Sequence, residues 1–257
     1  MKTLWTFGDS FTEDYYPIDN PDLYGTYDEY KKWKGGVKPD VWPILLANKL
    51  GYEIKNLAKG GSSNYGIIEQ FTNVCELIKE EDIVIFGWSN MVRFTVVNVD
   101  QNDFTQILPC DSGFDGTYLS KKTIEEILVN HSNPIWANEI QKWIKFINIF
   151  LESINVKVYQ WTTDKRIFNY YSDFIDEKRF IVCTHPIFRD HSIIQYLQQT
   201  FNYENDSDVG TIERETKGEI IDYHFGEYGH KCQAEYFYNF IQGNIVDEEH
   251  KEYIKLS

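Results

Sequence analysis

Apolar residues along this chain follow two rhythms. Short, nearly continuous runs such as Leu4-Trp5-Thr6-Phe7 alternate with longer segments in which apolar positions recur every three or four residues. The runs predict strands over residues 3–7, 53–57, 82–86, 156–161 and 179–183. The longer segments predict helices over residues 41–50, 65–79 and 135–154, with a last helix following Gly229. In the third of these, Trp136, Ile140, Trp143, Ile144 and Ile147 form a stripe that reads as core-facing and not as a ligand box. Strands alternating with helices are the pattern of an α/β domain on a parallel sheet.

In such a sheet, functional groups gather in the crevice beyond the carboxyl ends of the strands. Ser10, Gly61 and Asn90 each fall there, at the ends of the first three predicted strands. Ser10 belongs to Gly8-Asp9-Ser10, where a strand runs into a glycine-led turn that can lift a hydroxyl above the sheet. His224 lies far along the chain, on a predicted loop leading into the last helix. A serine hydroxyl is a poor nucleophile at neutral pH, and a histidine within hydrogen-bond reach supplies the base it needs.

Four segments carry a family resemblance. Gly8-Asp9-Ser10-Phe11, Asn56-Leu57-Ala58-Lys59-Gly60-Gly61-Ser62, Phe86-Gly87-Trp88-Ser89-Asn90 and Asp222-Tyr223-His224 occur in the order found in the SGNH or GDSL-type hydrolases, a group of esterases, lipases and carbohydrate deacetylases that this chain resembles. The resemblance implies a three-layer α/β/α sandwich around a central parallel sheet of about five strands, the flavodoxin-like architecture. It implies Ser10 as nucleophile, His224 as base and Asp222 as the acid that orients it. It also implies an oxyanion hole built from the backbone N–H groups of Ser10 and Gly61 and the side-chain amide of Asn90. Trp88 and Met91 stand where the family commonly has glycine and aspartate, which leaves Ser89 as a rival donor to Asn90. Ile221 stands where the family usually has its acid, and Asp222 is the natural substitute.

Each residue also has a plainer reading. Gly60 and Gly61 suit an ordinary turn after a strand, and Asn90 suits a cap. His230, just after Gly229, reads as a helix-start residue, and His185 and His191 have no partner at metal-ligand spacing. Cys75, Cys110, Cys183 and Cys232 are scattered without a CxxC pair, so the sequence predicts neither a zinc site nor a disulfide framework, and no cofactor. Asn205-Asp206-Ser207 matches a glycosylation acceptor, but chance explains it better when no leader is evident.

Composition narrows the partners. The chain has 257 residues, 42% of them apolar and 16% aromatic, enough for one well-buried domain. Lys and Arg number 25 against 40 Asp and Glu, and the net charge of −15 argues against nucleic acid or an anionic membrane as partner. No secretory leader or membrane span is evident, and a cytoplasmic location is expected. The richness in Asn, Lys, Ile and Tyr suits an AT-rich microbial or viral genome, with virion association as the corresponding variant of that expectation.

Two stretches without periodicity, residues 13–40 and 98–133, are expected to be long loops that shape the substrate site. The first holds Tyr15, Tyr16, Tyr24, Tyr27, Tyr30 and Trp33, and the second Phe104, Phe114 and Tyr118. Aromatic rings among acidic groups suit stacking on sugars, as well as packing of a lid onto the body. The expected function is therefore hydrolysis of an ester-linked acyl group, acetyl first, from a glycan or small-molecule ester. The alternatives are an acyltransferase using the same triad, and a carbohydrate-binding or structural protein that has lost turnover.

Overall fold

A computed structural model describes residues 2–14, 40–89, 94–98, 103–107, 134–162, 212–216, 218–222 and 227–244. Four strands form its central sheet: β1 (Thr3–Phe7), β2 (Glu53–Asn56), β3 (Ile83–Trp88) and β6 (Lys157–Thr162). They lie in the order β2-β1-β3-β6, and every pairing is parallel. The candidate fifth strand, residues 179–183, lies outside the described residues.

Period-two alternation divides the strand side chains between two cores. Trp5 and Phe7 of β1 and Val84, Phe86 and Trp88 of β3 pack with Ile67, Ile68 and Phe71 of α2 (Asn64–Thr72), and with Ile140, Ile144, Ile147 and Leu151 of α3 (Pro134–Ser153). On the other face Leu4, Ile83, Ile85 and Trp161 meet Trp42 and Leu46 of α1 (Trp42–Leu50) and Ala234 and Phe237 of α4 (Glu227–Ile241). The result is the expected three-layer α/β/α sandwich. Aromatic contacts tie the layers: Phe71 of α2 meets Phe86 of β3 edge-on at 5.5 Å, and Trp42 of α1 meets Trp161 of β6 edge-on at 5.8 Å. No helix among the described residues is long and apolar enough to cross a membrane.

Local chemistry sets the element ends. α1 opens with Pro43 in its first turn and closes on Gly51, whose φ of 69° is the left-handed conformation that glycine adopts without steric cost. The Ser63 side chain caps α2 by accepting from the Gly66 N–H at 3.2 Å. Residues 65–79, expected as one helix, divide: α2 ends at Thr72 and a separate 3-10 turn spans Cys75–Leu77. Thr72, Asn73 and Val74 are poor helix formers in succession, and the break lets Ile78 turn into the core. α4 begins at Glu227, so Gly229 lies within its first turn and does not start it.

Two further departures concern faces and loops. Trp143 is not in the core stripe of α3; it points outward with Phe146 and Ile149. Ile140, Ile144, Ile147 and Leu151 already fill the stripe, and the three-residue steps from Trp143 continue along its solvent margin. The expected loop 98–133 includes a strand, β5 (Asp103–Ile107), paired antiparallel with β4 (Phe94–Asn98). A second hairpin, β7 (Ile212–Thr216) with β8 (Gly218–Asp222), precedes α4.

The amino end of the sheet is tied by one buried carboxylate. Asp82 accepts from the Thr3 N–H at 2.8 Å, the Trp5 indole N–H at 3.0 Å and the Lys79 N–H at 3.0 Å. Removing it strands three donors, two of them on β1. Asp82→Ala is expected to lower the free energy of unfolding by about 3 kcal/mol, from unpaired buried groups at about 1–3 kcal/mol each. A urea unfolding midpoint equal to that of the parent would contradict this role.

Candidate active site

The carboxyl ends of β1 and β3 lie side by side in the sheet, and the chain leaves β1 toward β2 on one flank before returning as β3 on the other. This reversal is the switch point where open parallel sheets form their crevice. Ser89 directly follows the end of β3, and Ser10 lies three residues beyond the end of β1.

At Gly8 the chain passes through a pinch. A methyl group there would lie 2.5 Å from Thr12 Oγ1, 2.8 Å from Thr12 Cβ and 3.2 Å from the Gly87 carbonyl oxygen. One at Gly87 would lie 2.7 Å from the same hydroxyl and 2.8 Å from Trp161 Nε1. Thr12 Oγ1 and Trp161 Nε1 are buried without a hydrogen-bond partner among the described residues.

Beyond Gly8 the backbone coils once. The Thr12 and Glu13 N–H groups both donate to the Asp9 carbonyl, at 2.9 and 3.0 Å, while Asp9 Oδ1 accepts from the Phe11 N–H at 3.1 Å. Gly8, Asp9, Phe11 and Thr12 are buried in this turn, and Ser10 is half-buried. The serine is thus the residue of residues 8–12 that retains solvent access.

The loop after β2 lies against this turn. A methyl at Gly60 would sit 3.7 Å from Ser10 Cβ, so the Gly60-Gly61 segment borders the serine directly. Gly61 has a φ of +75°, in the region that favours glycine. The Gly60 N–H donates to Glu13 Oε2 at 2.8 Å, the Lys59 N–H to the Gly8 carbonyl at 3.1 Å, and the Asn56 side-chain amide to the Thr12 carbonyl at 2.7 Å. The third segment is tied in through Ser89. Its hydroxyl donates to Asp9 Oδ2 at 2.9 Å and its N–H to Asn64 Oδ1 at 2.8 Å. Both hydrogens that Ser89 can donate are therefore directed at these two acceptors.

The fold thus sets Ser10 beside Gly60, and Gly61 is the next residue of that loop. Asn90, the residue after Ser89, lies outside the described residues, as does His224. Asp222 is the last residue of β8, paired with Ile212. His230 lies in α4, buried, where its Nδ1 accepts the Trp42 N–H at 3.3 Å. That bond joins α4 to α1 and agrees with a structural role. Sequence reasoning missed the side chains that hold these segments together: Asn56, Asn64, Gln70 and Glu13. Asn56 closes β2 and Glu13 follows the turn after β1, places where orphaned backbone groups need partners and a polar residue is a signal; Asn64 and Gln70, within α2, carry none.

No protein-family model matches the chain, and no curated protein matches it. The chain is similar to several solved structures, as follows. The protein YxiM of Bacillus subtilis has a TM-score of 0.46 and 13% identity over 94% of this chain, which spans 57% of that protein's length. A Desulfitobacterium hafniense protein assigned to the lipolytic G-D-S-L family has a TM-score of 0.44 and 14% identity, covering 93% of this chain and 99% of that one. A lipase/acylhydrolase from Enterococcus faecalis has a TM-score of 0.33 and 12% identity, covering 95% and 96%.

The pinch makes Gly8 the most sterically constrained position of the turn. Gly8→Ala is expected to lower the unfolding free energy by about 1–3 kcal/mol, as overpacking does. Chemical denaturation checks this, and a variant as stable as the parent would show that the turn accommodates a side chain.

Proposed function

We propose that this protein is a serine esterase that hydrolyses an ester-linked acyl group through an acyl-enzyme. One observation carries the reading: Ser10, half-exposed in an otherwise buried turn at the switch point of a parallel sheet, directly borders the Gly60-Gly61 loop. The motif order along the sequence supports the remaining roles.

In this mechanism His224 takes the proton of the Ser10 hydroxyl as its oxygen attacks the ester carbonyl. Asp222 holds the imidazole in the productive tautomer and stabilises the imidazolium. The carbonyl oxygen, now an anion, is received by the N–H groups of Ser10 and Gly61 and the amide of Asn90. His224 then protonates the departing alcohol, and a water activated by the same base releases the acid. The substrate class we favour is an acetylated carbohydrate. The support is the density of tyrosine and tryptophan in residues 13–40, immediately after the nucleophile, and a net charge of −15 that disfavours polyanionic partners.

The test is turnover of a chromogenic acetate ester and release of acetate from acetylated oligosaccharides, by the parent chain and by Ser10→Ala and His224→Ala. Both variants are expected to lose at least about a thousandfold in kcat, the scale on which triad members act. A fluorophosphonate should label the parent and not Ser10→Ala. Equal background rates and no labelling in all three proteins would refute the esterase reading.

A further inference from the structure

We infer that Gln70 is a positioning residue that sets the nucleophile turn and the oxyanion loop from a single side-chain amide. This rests on the esterase reading of Ser10 and Gly61. The last ladder pairs of β1 are Thr6 with Asn56 and Phe7 with Phe86, so Gly8 is the first residue beyond the sheet's own hydrogen bonds. Its N–H needs a partner and its C=O, which accepts the Lys59 N–H at 3.1 Å, has room for a second donor; α2 provides both.

Gln70 Oε1 accepts the Gly8 N–H at 3.0 Å, and Gln70 Nε2 donates to the Gly8 carbonyl at 3.0 Å. A side-chain amide has the same donor and acceptor as a peptide group, so Gln70 takes the place of a neighbouring strand at the point where the strand must turn. The second hydrogen of Nε2 goes to Ser62 Oγ at 2.9 Å. All of the amide's N–H donors are used, with one branch on each catalytic segment.

The two anchor points flank the groups that must meet. Ser10 lies two residues beyond Gly8, and Gly61 lies one residue before Ser62. The Ser62 N–H also returns to the Lys59 carbonyl at 3.2 Å, while the Lys59 N–H shares the Gly8 carbonyl with Gln70. Gln70 thus ties the two turns into one ring of hydrogen bonds. The distance between hydroxyl and oxyanion donor follows from that ring, and a displacement of about 1 Å in such a distance can cost on the order of a hundredfold in rate. Asn56, Glu13 and Asp9 hold the same segments by separate bonds, so the fold survives without Gln70 while the spacing loosens.

The experiment compares Gln70→Ala, Ser62→Ala and the double variant with the parent chain. Gln70→Ala is expected to lower kcat about 10- to 100-fold and leave KM within about threefold, since the loss is one of alignment. Ser62→Ala removes one branch and should cost less. The double variant should be no worse than Gln70→Ala, because the Ser62 branch is already contained in it. Amide hydrogen exchange supplies a readout independent of turnover: peptides covering residues 3–14 and 57–66 should exchange faster in Gln70→Ala, and those covering 83–88 and 157–162 should not. Unchanged exchange in both former segments, or unchanged kcat in an active protein, would overturn the clamp. An unaltered chain that neither turns over esters nor reacts with a fluorophosphonate would overturn the catalytic role through the esterase reading itself, with exchange still judging the clamp separately.

Discussion

Where β1 leaves the sheet at Gly8, the chain comes so close to Thr12 and to the Gly87 carbonyl that no side chain fits between them. The features around the candidate site depend on this approach. It lets the helical turn carrying Ser10 fold back over the end of β3, and it brings Asp9 within reach of Ser89. It also leaves the Gly8 peptide exposed to α2, where Gln70 can bind it on both sides. A larger residue would push the turn away from β3 and separate the serine from its neighbours.

Polar side chains then do at the carboxyl end of the sheet what ladder hydrogen bonds do within it. Asn56, Asn64, Gln70, Asp9 and Glu13 each pair with backbone groups that have left the strands. Buried polar groups are costly when half satisfied and rigidifying when complete, so such a network defines one geometry sharply. At the amino end a single carboxylate, Asp82, serves three donors. One end of the sheet is built for anchoring and the other for placing groups relative to one another.

The layered architecture was legible because its signals are local and repeated. Runs such as Ile83 to Phe86 are buried on both faces, and such runs do not resemble a helix of period 3.6. The division of residues 65–79 was less legible, since hydrophobic spacing continues through Asn73 and Val74 and only weak helix propensity marks the break. Trp143 misled for a related reason: periodicity gives the direction of a stripe but not its width. The hairpin β4–β5 escaped because its alternation is short, although Phe94 to Val97 is rich in β-formers. Near the carboxyl end of the sheet, the turn carrying Ser10 and the Gly60-Gly61 loop were visible from glycines that follow strands. Gln70 was not, because a glutamine within an amphipathic helix looks like any solvent-facing residue until the chain it faces is known.

The bond between the Trp42 N–H and His230 Nδ1 spans 188 positions of sequence, and α1 packs on α4 along the same seam. On a ribosome, strands β1 to β3 and both of their early helices emerge long before α4 does. At about 5–20 residues per second, roughly ten to forty seconds separate the two partners. During that interval Leu4, Trp42, Leu46 and Ile85 lack the cover that α4 gives them, whereas α3, which covers the other face, is made well before α4. Until α4 is made, chaperone demand should concentrate on the α1 side of the sheet.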